Sequence, residues 1–200
     1  MAKADWLSVS PASGSGDATV NVSTAKPHTG RVLRSTTLTF KAANVADVIR
    51  TVNQAGKPET TTMASSASSD KAGKVVTISG VSNSAKLTFS LGTGNLNISL
   101  PSKYTAASMQ ITNGTAITGD PGASAEYNFS ITITVPANET INSQTRQIIV
   151  TDEGGNRATC LLTLAAGDAF LTVQEGTIEL SYQGTAVSVA VDSNTSWTVS

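Results

Sequence analysis

Groups able to do chemistry are scarce in this chain. It holds one histidine, His28, and one cysteine, Cys160, in 200 residues. A His-based triad or a Cys/His metal set needs more than one of each. His28 sits in Pro-His-Thr-Gly, a turn sequence, and Cys160 in Ala-Thr-Cys-Leu-Leu, a strand sequence in which a thiol serves as a small apolar side chain. A single cysteine also excludes an intrachain disulfide. Asp152, Glu153 and Asn156 suggest a Ca²⁺ loop, but they lack the ligand spacing of a dedicated site. Asp-Glu-Gly-Gly-Asn fits a hairpin turn better. Trp6 and Trp197 could stack on a sugar, yet each lies in an alternating strand and is expected to plug a core. Tyr104, Tyr127 and Tyr182 are the other ring candidates, scattered along the chain. Arg34 and Arg146 are expected to pair with backbone or carboxylate groups rather than to clamp a ligand. No catalytic, cofactor-binding or metal-ligating residue is assigned, and no residue of a ligand site is identified. The expectation is no enzyme and no cofactor.

Composition narrows the partners. Charged residues make up 14% of the chain, against about 25% in an average globular domain. Ser, Thr, Asn and Gly take their place, which suits exposed strand faces and turns. The net charge is −1, and the one loose basic group, Arg31, Arg34 and Lys41, makes no phosphate-binding face, so no nucleic acid is expected. No run of 18 apolar residues exists, so no membrane partner is expected either. The opening Met-Ala-Lys-Ala-Asp-Trp carries no apolar signal-peptide core, so synthesis in the cytoplasm, with retention there or release by lysis, is expected. Asn-x-Ser/Thr triplets begin at Asn21, Asn97, Asn113, Asn128, Asn138 and Asn194, as chance allows in so Ser/Thr/Asn-rich a chain.

Alternation with period two dominates the sequence and predicts an all-β fold. The clearest run is Phe129, Ile131, Ile133 and Val135, with Asn128, Ser130, Thr132 and Thr134 on the other face. Shorter runs occur at Val20–Val22, Thr36–Phe40, Ile178–Leu180–Tyr182 and Val187–Val189–Val191. Gly119-Asp120-Pro121-Gly122 must break a strand, and Asp152 to Asn156 must join two. Residues 42–52 have a weak helical spacing, but their β-branched residues favour a strand. Residues 58–73 have little apolar content and are expected to be a linker.

An internal repeat organises the chain. Pro11 to Gly56 parallels Pro121 to Gly167: a turn, an alternating strand, a polar loop, an Arg-led strand and a closing Ala-Gly. A second pairing sets Leu87 against Ile178, Leu96 against Val187, Ile98 against Val189 and Leu100 against Val191. The expected division is a back half at 1–57, a linker at 58–73, a sandwich at 74–168 and a front half at 169–200. Because half a sandwich exposes apolar surface and unpaired edges, 169–200 is expected to complete 1–57, in the same chain or a neighbour, unless the chain continues.

Trp6-Leu-Ser-Val-Ser-Pro-Ala-Ser-Gly-Ser-Gly-Asp, Arg34-Ser-Thr-Thr-Leu-Thr-Phe and Val52-Asn-Gln-Ala-Gly56 resemble the second half of a BACON domain, an immunoglobulin-like β-sandwich of gut Bacteroidetes and their phages. Ser193-Asn-Thr-Ser-Trp197-Thr-Val resembles the middle of the same domain. The resemblance implies tandem immunoglobulin-like β-sandwiches of the crAss-like phage type. It further implies a virion structural protein (capsid decoration, head fibre or tail-associated), located in the virion, with other virion proteins or copies of itself as partners and host or mucin glycans as contacts. The alternative is a carbohydrate-binding or spacer module of a secreted or surface protein.

Overall fold

The computed structural model describes residues 3–200; the first two residues of the expected 1–57 unit lie outside the described residues. Strands form where Val, Ile and Thr alternate with small polar residues, because one face can then be buried while the other stays wet. The N-terminal segment makes two antiparallel hairpins. β1 (Leu7–Ser10) pairs with β2 (Asn21–Thr24), placing Val9 opposite Val22. β3 (Arg34–Phe40) pairs with β4 (Val48–Gln54). Their small shared core is Trp6, Leu7 and Leu38. The expected strand over 42–52 forms from Val48 onward; the residues before it turn, with Asn44 at φ 63°.

The complete sandwich begins earlier than the sequence suggests. Residues 58–73 are no linker: they contain β5 (Thr61–Met63) and β6 (Ser66–Ser69), one in each sheet. Both edges are held by main-chain hydrogen bonds, which need no apolar side chains, so hydropathy could not reveal them. The remaining strands are β7 (Val75–Ser82), β8 (Leu87–Gly94), β9 (Lys103–Ala106), β10 (Met109–Thr112), β11 (Tyr127–Thr134), β12 (Gln144–Asp152) and β13 (Arg157–Leu164). One sheet runs β10-β9-β11-β7-β5 and the other β6-β13-β12-β8. β6 lies parallel to β13; the other strand pairs of the sandwich are antiparallel. The fold is thus all-β and immunoglobulin-like, with its first strand divided between the sheets.

Inward residues of both sheets make one core. Ile78, Ile131 and Ile133 face Leu87, Phe89, Ile148, Val150, Cys160 and Leu162, all nearly free of solvent. Phe89 sits at the centre, 5.0 Å from the Tyr104 ring and 5.8 Å from Phe129 in an edge-on arrangement. The outward residues Asn128, Thr132 and Thr134 keep the surface polar.

After the sandwich the chain forms one short hairpin, β14 (Leu171–Val173) with β15 (Val191–Ser193). No strand of 169–200 pairs with 3–57. Completion within one chain is therefore overturned. The N-terminal segment meets the sandwich just past the end of β7, whereas 169–200 leaves it beside Lys71, before the start of β7. The two segments occupy opposite poles, separated by a strand of eight residues, about 26 Å.

Candidate functional site

The most elaborate polar constructions lie at these two poles. At the first, the loop after β2 lays its backbone along the sandwich. Arg31 and Val32 donate their N–H groups to the carbonyls of Gly122 and Ala123 at 2.9 and 3.0 Å. The Arg31 guanidinium grips the Asp120 carboxylate with two bonds, of 2.6 and 2.5 Å. That fork-on-fork geometry, with direct hydrogen bonding as the leading cause, holds the Asp120 carboxyl below the usual carboxylate range and Arg31 above its ordinary value. Asp120 can be there because Gly119 and Asp120 turn the chain at φ 75° and 41° before the single 3-10 turn Pro121–Ala123. Lys57 adds an ion pair to Glu126.

Asn83 fastens the crossing chain. Its side-chain oxygen accepts the Thr60 N–H at 2.8 Å, and its amide donates to the carbonyls of Thr29, Lys57 and Pro58 at 3.2 to 3.4 Å. Asn83 is fully buried, so these bonds satisfy groups that would otherwise be orphaned. Nearby, the Tyr127 hydroxyl donates to the Ser84 carbonyl at 2.8 Å, and burial pushes its ionisation well above the ordinary tyrosine value.

The second pole repeats the first. The Asn194 oxygen accepts the Phe170 N–H at 3.0 Å, and its amide donates to the carbonyls of Glu139 and Asp168. Thr29 and Glu139, Pro58 and Asp168, Thr60 and Phe170 each stand 110 positions apart, and Asn83 and Asn194 stand 111 apart. The main-chain bond from Lys57 to Gly30 returns as Gly167 to Thr140. His28 bonds the Val32 carbonyl at 2.6 Å, as Asn138 bonds that of Asn142 at 2.8 Å. The pairing of Thr61 with Ser82 returns as Leu171 with Ser193. The chain therefore repeats every 110 to 111 residues, and the pairing of Leu87 with Ile178 and its companions is corrected. Ile178 lies outside any strand, and a shift of 110 to 111 residues carries Leu87 to Trp197 or Thr198, not to Ile178.

The residues suspected of chemistry are dispersed. Asp152 is buried in the β12–β13 turn, where it accepts bonds from Asn156 and Thr61. Among the described residues no cluster of His, Cys, Asp or Glu is arranged to hold a metal. Cys160 is packed in the core, and burial pushes its thiol up. Arg146 donates to the carbonyls of Leu96 and Gly92, while Arg34 lies 4.6 Å over the Trp6 ring. Both arginines are engaged by groups of this chain. Trp6 is buried as expected, and Tyr104 and Tyr127, the other ring candidates, are buried too. Trp197 is not: it is 48% exposed. Tyr182 is 97% exposed.

Between the two N-terminal hairpins lies a cleft of about 440 Å³, lined by Val9, Pro11, Val20, Leu38 and Phe40 with Lys3 at its edge.

Residues 1–55 match the BACON family model, described as "Putative binding domain, N-terminal". The matched segment is BACON-like and carries both N-terminal hairpins and the Arg31 loop. No curated protein matches the chain. Among solved structures it is similar to "Zebrafish RET Cadherin Like Domains 1 to 4", at 13% identity and a TM-score of 0.33. That likeness covers 82% of this chain and 41% of the other, so this chain spans less than half of that one.

Sequence reasoning missed the pairing of Arg31 with Asp120 and the bridging role of Asn83. The available signal was the Ser-Asn pair at 82–83 recurring at 193–194. A buried asparagine is recognisable as a clamp only once its carbonyl partners, distant in sequence, are in place.

Proposed function

We propose that this chain is a structural element, a run of immunoglobulin-like units that spaces and joins the parts of a larger assembly. The observation that carries this reading is the repeated pole: the same asparagine clamp, main-chain bonds and strand register recur after 110 to 111 residues. A repeated junction sets neighbouring units at a repeated spacing, which is what a fibre or shell component requires. In this reading the assembly is a phage virion. The chain is a capsid decoration, head-fibre or tail-associated protein, working without catalysis, with other virion proteins or its own copies as partners. The BACON-like segment and the polar outer faces of the sandwich support it.

One observation favours a second reading, a carbohydrate-binding or spacer module of a secreted or surface protein. Tyr182 and Trp197 offer exposed ring faces, the chemistry of sugar stacking. An array of mucin and plant glycans probed with the full chain separates the two. The structural reading expects any retention to be independent of the Trp197 and Tyr182 rings. Saturable binding abolished by Trp197→Ala or Tyr182→Ala would replace it with the second.

A further inference from the structure

The chain passes through the central sandwich from one pole to the other. It enters at the first pole through Thr60, whose N–H bonds the Asn83 side-chain oxygen and whose carbonyl accepts the Asn83 N–H at 3.2 Å. It leaves at the second through Ala165, whose carbonyl accepts the Asn138 side-chain amide at 2.8 Å. The Asn138 N–H also donates to the Lys71 carbonyl, just past β6, at 2.8 Å. Asn83 and Asn138 are both buried, so entry and exit are each pinned to the body of the sandwich.

Between these points the entering and leaving strands lie side by side. β6 runs parallel to β13, with Ser66 beside Leu161 and Ser69 beside Leu164. The ladder is bracketed by the Leu161 N–H on the Ser65 carbonyl at 2.9 Å and the Ala165 N–H on the Ser69 carbonyl at 3.0 Å. Drawing the poles apart pulls β6 towards the first pole and β13 towards the second. Parallel neighbours pulled this way slide lengthwise, so their bonds are strained together rather than opened one at a time. β5 is drawn along β7 in the same sense, held from Thr61–Ser82 to Met63–Gly80 and by the Ala64 N–H on the Ser79 carbonyl at 3.0 Å. β6 is Ser-Ala-Ser-Ser and adds little apolar burial, so what it contributes is this ladder.

We infer that the central sandwich is a tension-bearing link, in which a pull along the chain is carried in shear by the parallel β6–β13 ladder. This goes beyond the structural reading above, for which spacing alone suffices. The second pole opens the same arrangement again. β14 pairs with β15 as β5 pairs with β7, so the pull passes on to the next unit through an equivalent strand.

The test stretches single molecules of the full chain between handles at its two ends. The terminal hairpins should yield first, at low force. One strong event should then free residues 60–165 and lengthen the molecule by about 350 Å. The N–H and C=O of one strand residue point to the same side, so the Ser65 and Ser69 bonds place Ala67 towards β13 and Ser68 away from it. Ala67→Pro removes a donor from the ladder, whereas Ser68→Pro removes an outward N–H, which an edge strand tolerates. Forced unfolding follows the unfolding barrier, so Ala67→Pro should lower the force of the strong event by about half or more, and Ser68→Pro should leave it unchanged.

A second measurement needs no change in the ladder. One handle is moved from the C-terminal end to Glu153→Cys, in the exposed β12–β13 turn, so that both points of pull lie at the first pole. The native Cys160 is buried and does not take the handle. Strands then peel instead of sliding, and the sandwich should open at about half the force or less. Equal force in the two directions overturns the inference, as does a strong event that Ala67→Pro leaves unchanged or that Ser68→Pro weakens as much. The glycan array decides the structural reading separately, so either can fail alone.

Discussion

Asn194 repeats the work of Asn83. Each accepts one main-chain N–H, from Phe170 or Thr60, and each donates its amide to carbonyls that arrive from the far side of a junction. The two residues differ in what surrounds them. Asn83 is fully buried under the N-terminal segment, whereas the region around Asn194 is open. Similar hydrogen bonding with unequal burial yields unequal energetic consequences.

Replacing Asn83 with alanine leaves the Thr60 N–H and several carbonyls without their partner in a part-buried site, at about 1–3 kcal/mol. The melting temperature of the sandwich should fall by several degrees, as read by calorimetry. Asn194→Ala should leave that transition nearly unchanged and free only the chain around Phe170, because water can take over there.

The Arg31–Asp120 pair gives the first junction a pH dependence. Asp120 has a folded-state value below its unfolded one, so its contribution is present above the unfolded value, about 3.9, and is lost as pH falls through the folded value. The Asp120 side chain is 40% exposed, so screening limits the effect to about 1 kcal/mol or less. Acid titration of stability should show this component in the native protein and lack it in Asp120→Asn.

Cys160 reports on the core. Its thiol is buried and its ionisation is pushed up, so it should react with an aromatic disulfide only when the sandwich opens. Phe89→Ala removes the ring that links Tyr104 and Phe129, at about 3–5 kcal/mol. The labelling rate of Cys160 should rise by orders of magnitude in that variant.

The β-class and most strands of the sandwich were legible because strands such as Phe129 to Val135 bury one face and so show their period. β5 and β6 were not, since Thr-Thr-Met and Ser-Ala-Ser-Ser are held by backbone pairing at sheet edges, which leaves no apolar signature. The repeat was visible in the N-terminal half but set out of phase in the other. Short strings of Val and Leu align at many offsets, whereas the Asn83 and Asn194 bonds admit one. The pairing of Arg31 passed unnoticed because its partner, Asp120, is 89 residues away and lies in a turn.

The account rests on the second junction being a true copy of the first, and amide hydrogen exchange of the full chain measures that residue by residue. The N–H groups of Lys57, Thr60, Gly167 and Phe170 should all be protected, and Asn194→Ala should release Phe170 while leaving Thr60 protected. If Phe170 and Gly167 exchange at the rate of an unstructured peptide while Thr60 and Lys57 are protected, the repeat ends with the central sandwich and the account is wrong.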